Sequence, residues 1–142
     1  MKSFLKKFKS FLRRTGIINY GDKLHVAGPN SHVLKKLLQV LGRQINVKFT
    51  GKGRKIDSYS IETYCVKGLV HFMDGKKFRN TSPLSCFTQK EINNFAEKEG
   101  IKTKELSFSG KEQQVYEMLK NLTRYRPGIF YSTSRMLERI MQ

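Results

Sequence analysis

The turn Gly28-Pro29-Asn30-Ser31 lies between a short apolar stretch, residues 24–27, and a run carrying Val33, Leu34, Leu37, Leu38 and Leu41 at helical spacing. Strand, small-residue turn and helix, in that order, aim backbone N–H groups and a helix N-terminus at a phosphate. Two features count against working phosphate chemistry. Pro29 has no N–H to donate, and the turn holds a single glycine where close approach to a phosphate favours several. Other chemistry-bearing residues are sparse. Cys65 and Cys86 are the two cysteines; they form no CxxC pair, which excludes a disulfide framework and a cysteine-rich zinc site and makes a reducing compartment the default. Cys65 falls on the apolar side of a helical pattern and reads as a small core residue, while Cys86 follows Pro83-Leu84. His25, His32 and His71 stand singly, without ligand spacing. The stretch "GKGRK", 51–55, lacks the ending of a Walker phosphate loop.

Positive charge is the stronger signal. Twenty-eight Lys and Arg against 11 Asp and Glu leave a net charge of +17, which points to a polyanionic partner, nucleic acid first and an anionic membrane second. A merely soluble basic surface is the plain alternative, but the excess goes beyond what solubility asks for. The cations cluster. Lys2, Lys6, Lys7, Lys9, Arg13 and Arg14 surround an apolar face of Phe4, Leu5, Phe8, Phe11 and Leu12 in "MKSFLKKFKSFLRR". Three readings fit that segment: a docked helix with an RNA-facing side, an organelle presequence, or a membrane-surface helix. Lys52, Arg54 and Lys55 lie in a glycine-containing loop, and Lys76, Lys77 and Arg79 flank Phe78. Arg124 and Arg126 bracket Tyr125, with Arg135 further on. Aromatics among cations can stack on unpaired bases, or can simply fill a core. Both readings stay open for Phe78, and Tyr131 is assigned to the core.

The elements that must position these residues follow from periodicity. A basic amphipathic helix and its connection occupy 1–20, an α/β core 21–109 and C-terminal helices 110–142, in one domain. Strand 24–27, helix 31–42 and the alternating strand 45–49 make a βαβ unit of a parallel sheet. A helix is expected over 57–73, then a basic loop with room for a short edge strand. Thr88 with Glu91 forms a capping box ahead of Ile92, Phe95 and Ala96, and Ser109 with Glu112 repeats the pattern. Pro127-Gly128 breaks the chain before a last helix. No apolar run approaches the ~20 residues that span a bilayer.

Three collinear stretches are similar to one family, the PP-loop ATP pyrophosphatases that thiolate tRNA. A basic helix and "GIINYGDKLHVAG" resemble that family's N-terminal helix and Gly-Asp-Lys strand. "SPLSCFTQKEINNFAEKEGI" resembles its Pro-Leu segment and Glu-bearing helix. "RPGIFYSTSRMLERI" resembles a Pro-Gly-x-x-x-Ser-x-x-Arg helix, here Pro127, Gly128, Ser132 and Arg135. Thr50-Gly51 with Glu62-Thr63 is a weaker match to its Thr-Gly-His and Glu-Thr region. The resemblance implies a small, shortened Rossmann-like PP-loop domain of α/β class, with a parallel sheet flanked by helices and a helix-rich C-terminus. It also favours the docked-helix reading of residues 1–14.

The departures from the family fall on the chemistry. Of its SGGxDS phosphate loop only Gly28 and Ser31 persist, and Asn30 replaces the aspartate, so Gly28, Asn30 and Ser31 mark a vestigial nucleotide loop. The family's cysteine-bearing middle section has no counterpart. The expectation is therefore a catalytically inactive RNA-binding protein of the cytoplasm with no cofactor. Its partner would be structured RNA, rRNA or tRNA, with an inclination to the ribosome. The alternative is a minimal ATP-dependent tRNA-thiolating enzyme completed by a partner protein.

Overall fold

A computed structural model describes residues 2–141, the Lys2 side chain lying outside the described residues. In chain order the elements are α1 (Lys2–Thr15), β1 (Lys23–Val26), α2 (Ser31–Leu41), β2 (Lys48–Phe49), β3 (Arg54–Ile56), α3 (Ile61–Met73), α4 (Gln89–Lys98), α5 (Gly110–Leu122) and α6 (Ile129–Ile140). They fall into two compact units. Residues 1–60 with 81–104 make the first, and residues 61–80 with 105–142 the second.

The first unit holds a three-stranded sheet in the order β2-β1-β3, with β1 parallel to both neighbours. Leu24 and Val26 alternate inward along β1, as the period of two in a strand requires. They meet Leu34, Leu37 and Leu38 of α2 and Ile56 of β3 in one core. The basic helix α1 belongs to this core, since Phe8 is fully buried and Leu12 nearly so. Phe4 stacks on Phe87 at 3.9 Å and on Phe95 at 4.7 Å, which ties α1 to the segment around α4. The apolar face of α1 is thus docked, while Lys6, Arg13 and Arg14 remain exposed.

The second unit is helical. Ile61, Cys65 and Val66 of α3 pack with Val115 and Leu119 of α5. Gly68 admits α6: a Cβ there would lie 2.6 Å from Leu137 Cδ1. Two ion pairs, Lys67–Glu112 at 3.5 Å and Lys111–Asp74 at 2.6 Å, tie α3 and its end to α5.

Several boundaries differ from the sequence expectation, each for a local reason. The strand expected over 45–49 shortens to 48–49 because a 3-10 turn at Gly42–Gln44 and the left-handed Asn46 (φ +49°) interrupt extended backbone. The basic loop 51–55 ends early, since Arg54–Ile56 pairs with β1. That pairing places Gly53 against the β1 backbone, where a Cβ would approach Leu24 N to 2.7 Å. The helix expected from Asp57 begins at Ile61, because Asp57 N–H donates to Thr81 O and the Ser82 hydroxyl to Tyr59 O, which tie 57–60 to residues 81–82 instead of into a helix. No strand forms among residues 74–86.

Thr88 forms the full capping box with Glu91, but the Ser109 side chain makes no cap bond. Thr88→Ala is therefore expected to lower stability by about 0.5–2 kcal/mol, while Ser109→Ala leaves it unchanged. Urea melts of the two variants beside the parent check this difference.

Candidate functional site

The Gly28–Ser31 turn leaves β1 at its C-terminal end and opens α2, the position the sequence pattern assigns to a phosphate loop. Its interior is occupied by a side chain 28 residues away. The Asn30 N–H donates to Ser58 Oγ at 3.0 Å, and that hydroxyl donates to Ala27 O at 2.7 Å. Gly28 has φ +97°, and a Cβ on it would lie 2.8 Å from Ser58 Oγ. Both the backbone angle and the packing therefore demand glycine.

The Asn30 side chain, 1% exposed, turns away from the helix it would cap. Its Nδ2 donates to Ser58 O at 2.9 Å and to Gln89 Oε1 at 3.1 Å, and its Oδ1 accepts from Gln89 Nε2 at 3.0 Å. An aspartate could not make these donations, which gives the Asn30 replacement a structural cause. Pro29 has no N–H and the Asn30 N–H is committed. Among the described residues, the turn's N–H groups without a hydrogen bond are those of Gly28 and Ser31. A triphosphate needs a cradle of converging donors; this turn commits its Asn30 N–H to Ser58 and has none at Pro29, which leaves Gly28 and Ser31.

Thr50-Gly51 lies in the β2–β3 turn, and Ser58, after β3, is what closes on the Gly28–Ser31 turn.

The basic residues are distributed over both units. On α1, Lys6, Lys7 and Arg14 line a groove of about 420 Å³ with Ser3, Ser10, Phe11 and Cys86. Lys9 and Arg13 line a second groove with Tyr20. Lys7 pairs with Glu91 at 3.5 Å, and the Arg14 guanidinium lies 5.3 Å from the Phe11 ring. The side chain of Lys2 lies outside the described residues. Lys52 and Lys55 are exposed, but Arg54 is engaged with Asp22 at 2.7 Å and with Ile17 O at 2.8 Å.

In the second unit Lys76, Lys77, Arg79, Arg124, Arg126 and Arg135 are exposed. Phe78 packs beside His71 and Tyr64, so its ring is a partly buried contact. Tyr125 stands 83% exposed, and Tyr131, expected in the core, is 39% exposed. Tyr131 precedes the buried pair Thr133 and Ser134 of α6, which with Leu137 form that helix's inner face. Sequence reasoning missed Ser58, for which spacing carried no signal. It also missed Lys23 and Lys48, which strand alternation could have flagged.

Neither thiol is poised for chemistry. Cys65, fully buried, donates to Phe130 O, and burial raises its pKa. Burial pushes the Cys86 thiol up to about 12, against a smaller opposing effect of Lys7. Among the described residues no three His, Cys, Asp or Glu side chains gather as a metal site.

No protein-family model and no curated protein matches the chain. A solved structure does. The U34-tRNA thiolase NcsA from Methanococcus maripaludis, determined with its 4Fe–4S cluster, superposes with a TM-score of 0.72. The match covers 99% of this chain and 80% of NcsA at 14% sequence identity. The chain has the fold of a tRNA thiolase. The α/β expectation, a shortened Rossmann-like PP-loop domain, is met by β1 to β3 and their helices. Within this thiolase fold the donor set for a 4Fe–4S cluster does not fit, since a cluster takes several thiolates and the chain holds two cysteines.

Two outcomes follow from this geometry. Cys65 is fully buried, so a thiol reagent at pH 8 is expected to leave it unmodified over minutes in the native protein and to label it in denaturant, while half-buried Cys86 in the groove wall reacts first; rapid native labelling of Cys65 would contradict the burial argument. Asn30→Asp should cost about 1–3 kcal/mol by placing acceptor against acceptor. The buried carboxyl's pKa would rise above its unfolded value, so the penalty is present at neutral pH and shrinks as pH falls toward the unfolded carboxylate range. Denaturant melts at pH 7 and pH 4 measure both parts.

Proposed function

We propose that the chain is an RNA-binding protein that keeps the thiolase fold and lacks its catalysis. The observation that carries the reading is a phosphate turn filled by Ser58 Oγ on a chain of net charge +17. Loss of nucleotide chemistry and retention of basic surface are what a fold redirected to RNA would show. The solved relative acts on tRNA by its name, which favours structured RNA as the partner class.

Binding runs through phosphates and shape rather than base edges. The groove of Lys6, Lys7 and Arg14 and the exposed cations of the 75–79 and 124–126 segments supply the contacts. Lys52 and Lys55 add to them, whereas Arg54 serves its ion pair with Asp22. The docked apolar face of α1 weighs against the membrane-surface reading, because that face is spent on the core. Among the described residues no helix is long and apolar enough to cross a membrane. A chain this basic is best neutralised by a permanent partner, which favours ribosomal RNA over transient tRNA and, with it, a cytoplasmic setting.

Affinity for RNA should fall with salt at a slope of about 0.7–0.9 per neutralised phosphate on logarithmic axes. Replacing Lys6, Lys7, Arg13 and Arg14 by Ala is expected to flatten that slope and weaken binding to tRNA and rRNA alike. Filter binding across a salt series reads this. Unchanged affinity would place the interface elsewhere, and measurable ATP binding or AMP release with tRNA would revive the enzyme reading.

A further inference from the structure

Parallel sheets are as a rule covered on both faces, and the sheet of the first unit is not. Leu24, Val26 and Ile56 point into the core, while the alternate positions Lys23, His25, Lys48 and Lys55 are exposed. Register sets Lys23 opposite Lys48 and His25 opposite Lys55. Neighbouring strands lie about 4.8 Å apart and alternate residues about 6.7 Å apart along a strand. Three lysines and a histidine therefore emerge side by side from one small patch. Like charges directly opposed across strands repel. The acids flanking these strands are already engaged, Asp22 with Arg54 at 2.7 Å and Asp57 with the Thr81 hydroxyl at 2.6 Å.

We propose that this bare sheet face is a second RNA surface, on which the phosphates of an RNA strand lie across β2, β1 and β3. The proposal rests on the RNA-binding reading above and adds a surface which that reading does not use, apart from Lys55. Charge complementarity selects the occupant. A membrane surface would call for apolar side chains to insert, and a protein interface depletes lysine at its centre. The four exposed positions carry only basic side chains. Backbone-rigid strands hold these cations at fixed spacing, which suits a surface that is matched by shape.

The test compares the full-length protein, the double variant Lys23→Gln/Lys48→Gln and the α1 variant with Lys6, Lys7, Arg13 and Arg14 changed to Ala. Each is titrated with unfractionated tRNA and with total ribosomal RNA across a salt series. If Lys23 and Lys48 each neutralise one phosphate, the double variant's slope falls by about 1.4–1.8 units, in addition to the loss seen on α1. In parallel, amine-reactive labelling of the unaltered protein should show Lys23 and Lys48 protected by RNA, a readout that needs no variant to fold. An unchanged slope with both lysines unprotected, while the α1 variant weakens, overturns this surface and leaves the RNA reading standing. Absence of RNA binding by the unaltered protein overturns both. Protection by polyglutamate or phosphatidylserine vesicles but not by RNA overturns the choice of partner.

Discussion

A single hydroxyl organises the region where the fold would hold a nucleotide. Ser58 Oγ links the Asn30 N–H to Ala27 O, so the chain leaving β3 is pinned inside the turn that joins β1 to α2. Much else is fitted to this bridge. Gly28 must be glycine to clear it, and Asn30 must be an amide to complete it with Gln89. Residues 57–60 stay tied to residues 81–82 rather than begin a helix. A buried polar network of this kind is stable only when its members are satisfied; here the Asn30 and Gln89 amides and the Ser58 hydroxyl have their partners, while the neighbouring buried Ser60 hydroxyl has none among the described residues. The same bridge that closes the turn takes up the Asn30 N–H, one of the donors a phosphate would use.

Charge has the opposite character: it is largely unsatisfied. The pairs Lys7–Glu91, Arg54–Asp22, Lys67–Glu112 and Lys111–Asp74 are partly exposed and contribute little to stability each. The folded chain is held by apolar burial, by Phe8, Leu24 and Leu37 in one unit and by Ile61, Val66 and Leu119 in the other. Self-repulsion among the remaining cations works against that burial. Under the proposed RNA binding, a polyanionic partner would turn this cost into binding energy.

The elements with a strong period were legible in the sequence. The apolar stripe of α1, the leucines of α2, the Thr88–Glu91 box and the Pro127-Gly128 break all stand where their local chemistry put them. Gly42 and Gly100 follow the ends of α2 and α4 with positive φ, the conformation in which glycine closes a helix. Features set by distant partners were not legible. β3 exists because residues 54–56 find β1, and its two outer residues are basic, so no apolar alternation announced it. Ser58 is an unremarkable serine until the fold brings it to Ala27. Ser109 shows the converse: its spacing to Glu112 matches a capping box, and the side chain is not used as one.

The central claim, a stable RNA partner without nucleotide chemistry, is tested most directly in the native cell. A lysate prepared gently at low salt and resolved on a sucrose gradient shows what the protein travels with. The account predicts sedimentation with ribosomal particles, release to the top of the gradient after high salt or ribonuclease, and no dependence on ATP. A protein that stays at the top of the gradient in low salt and carries no RNA there would contradict it.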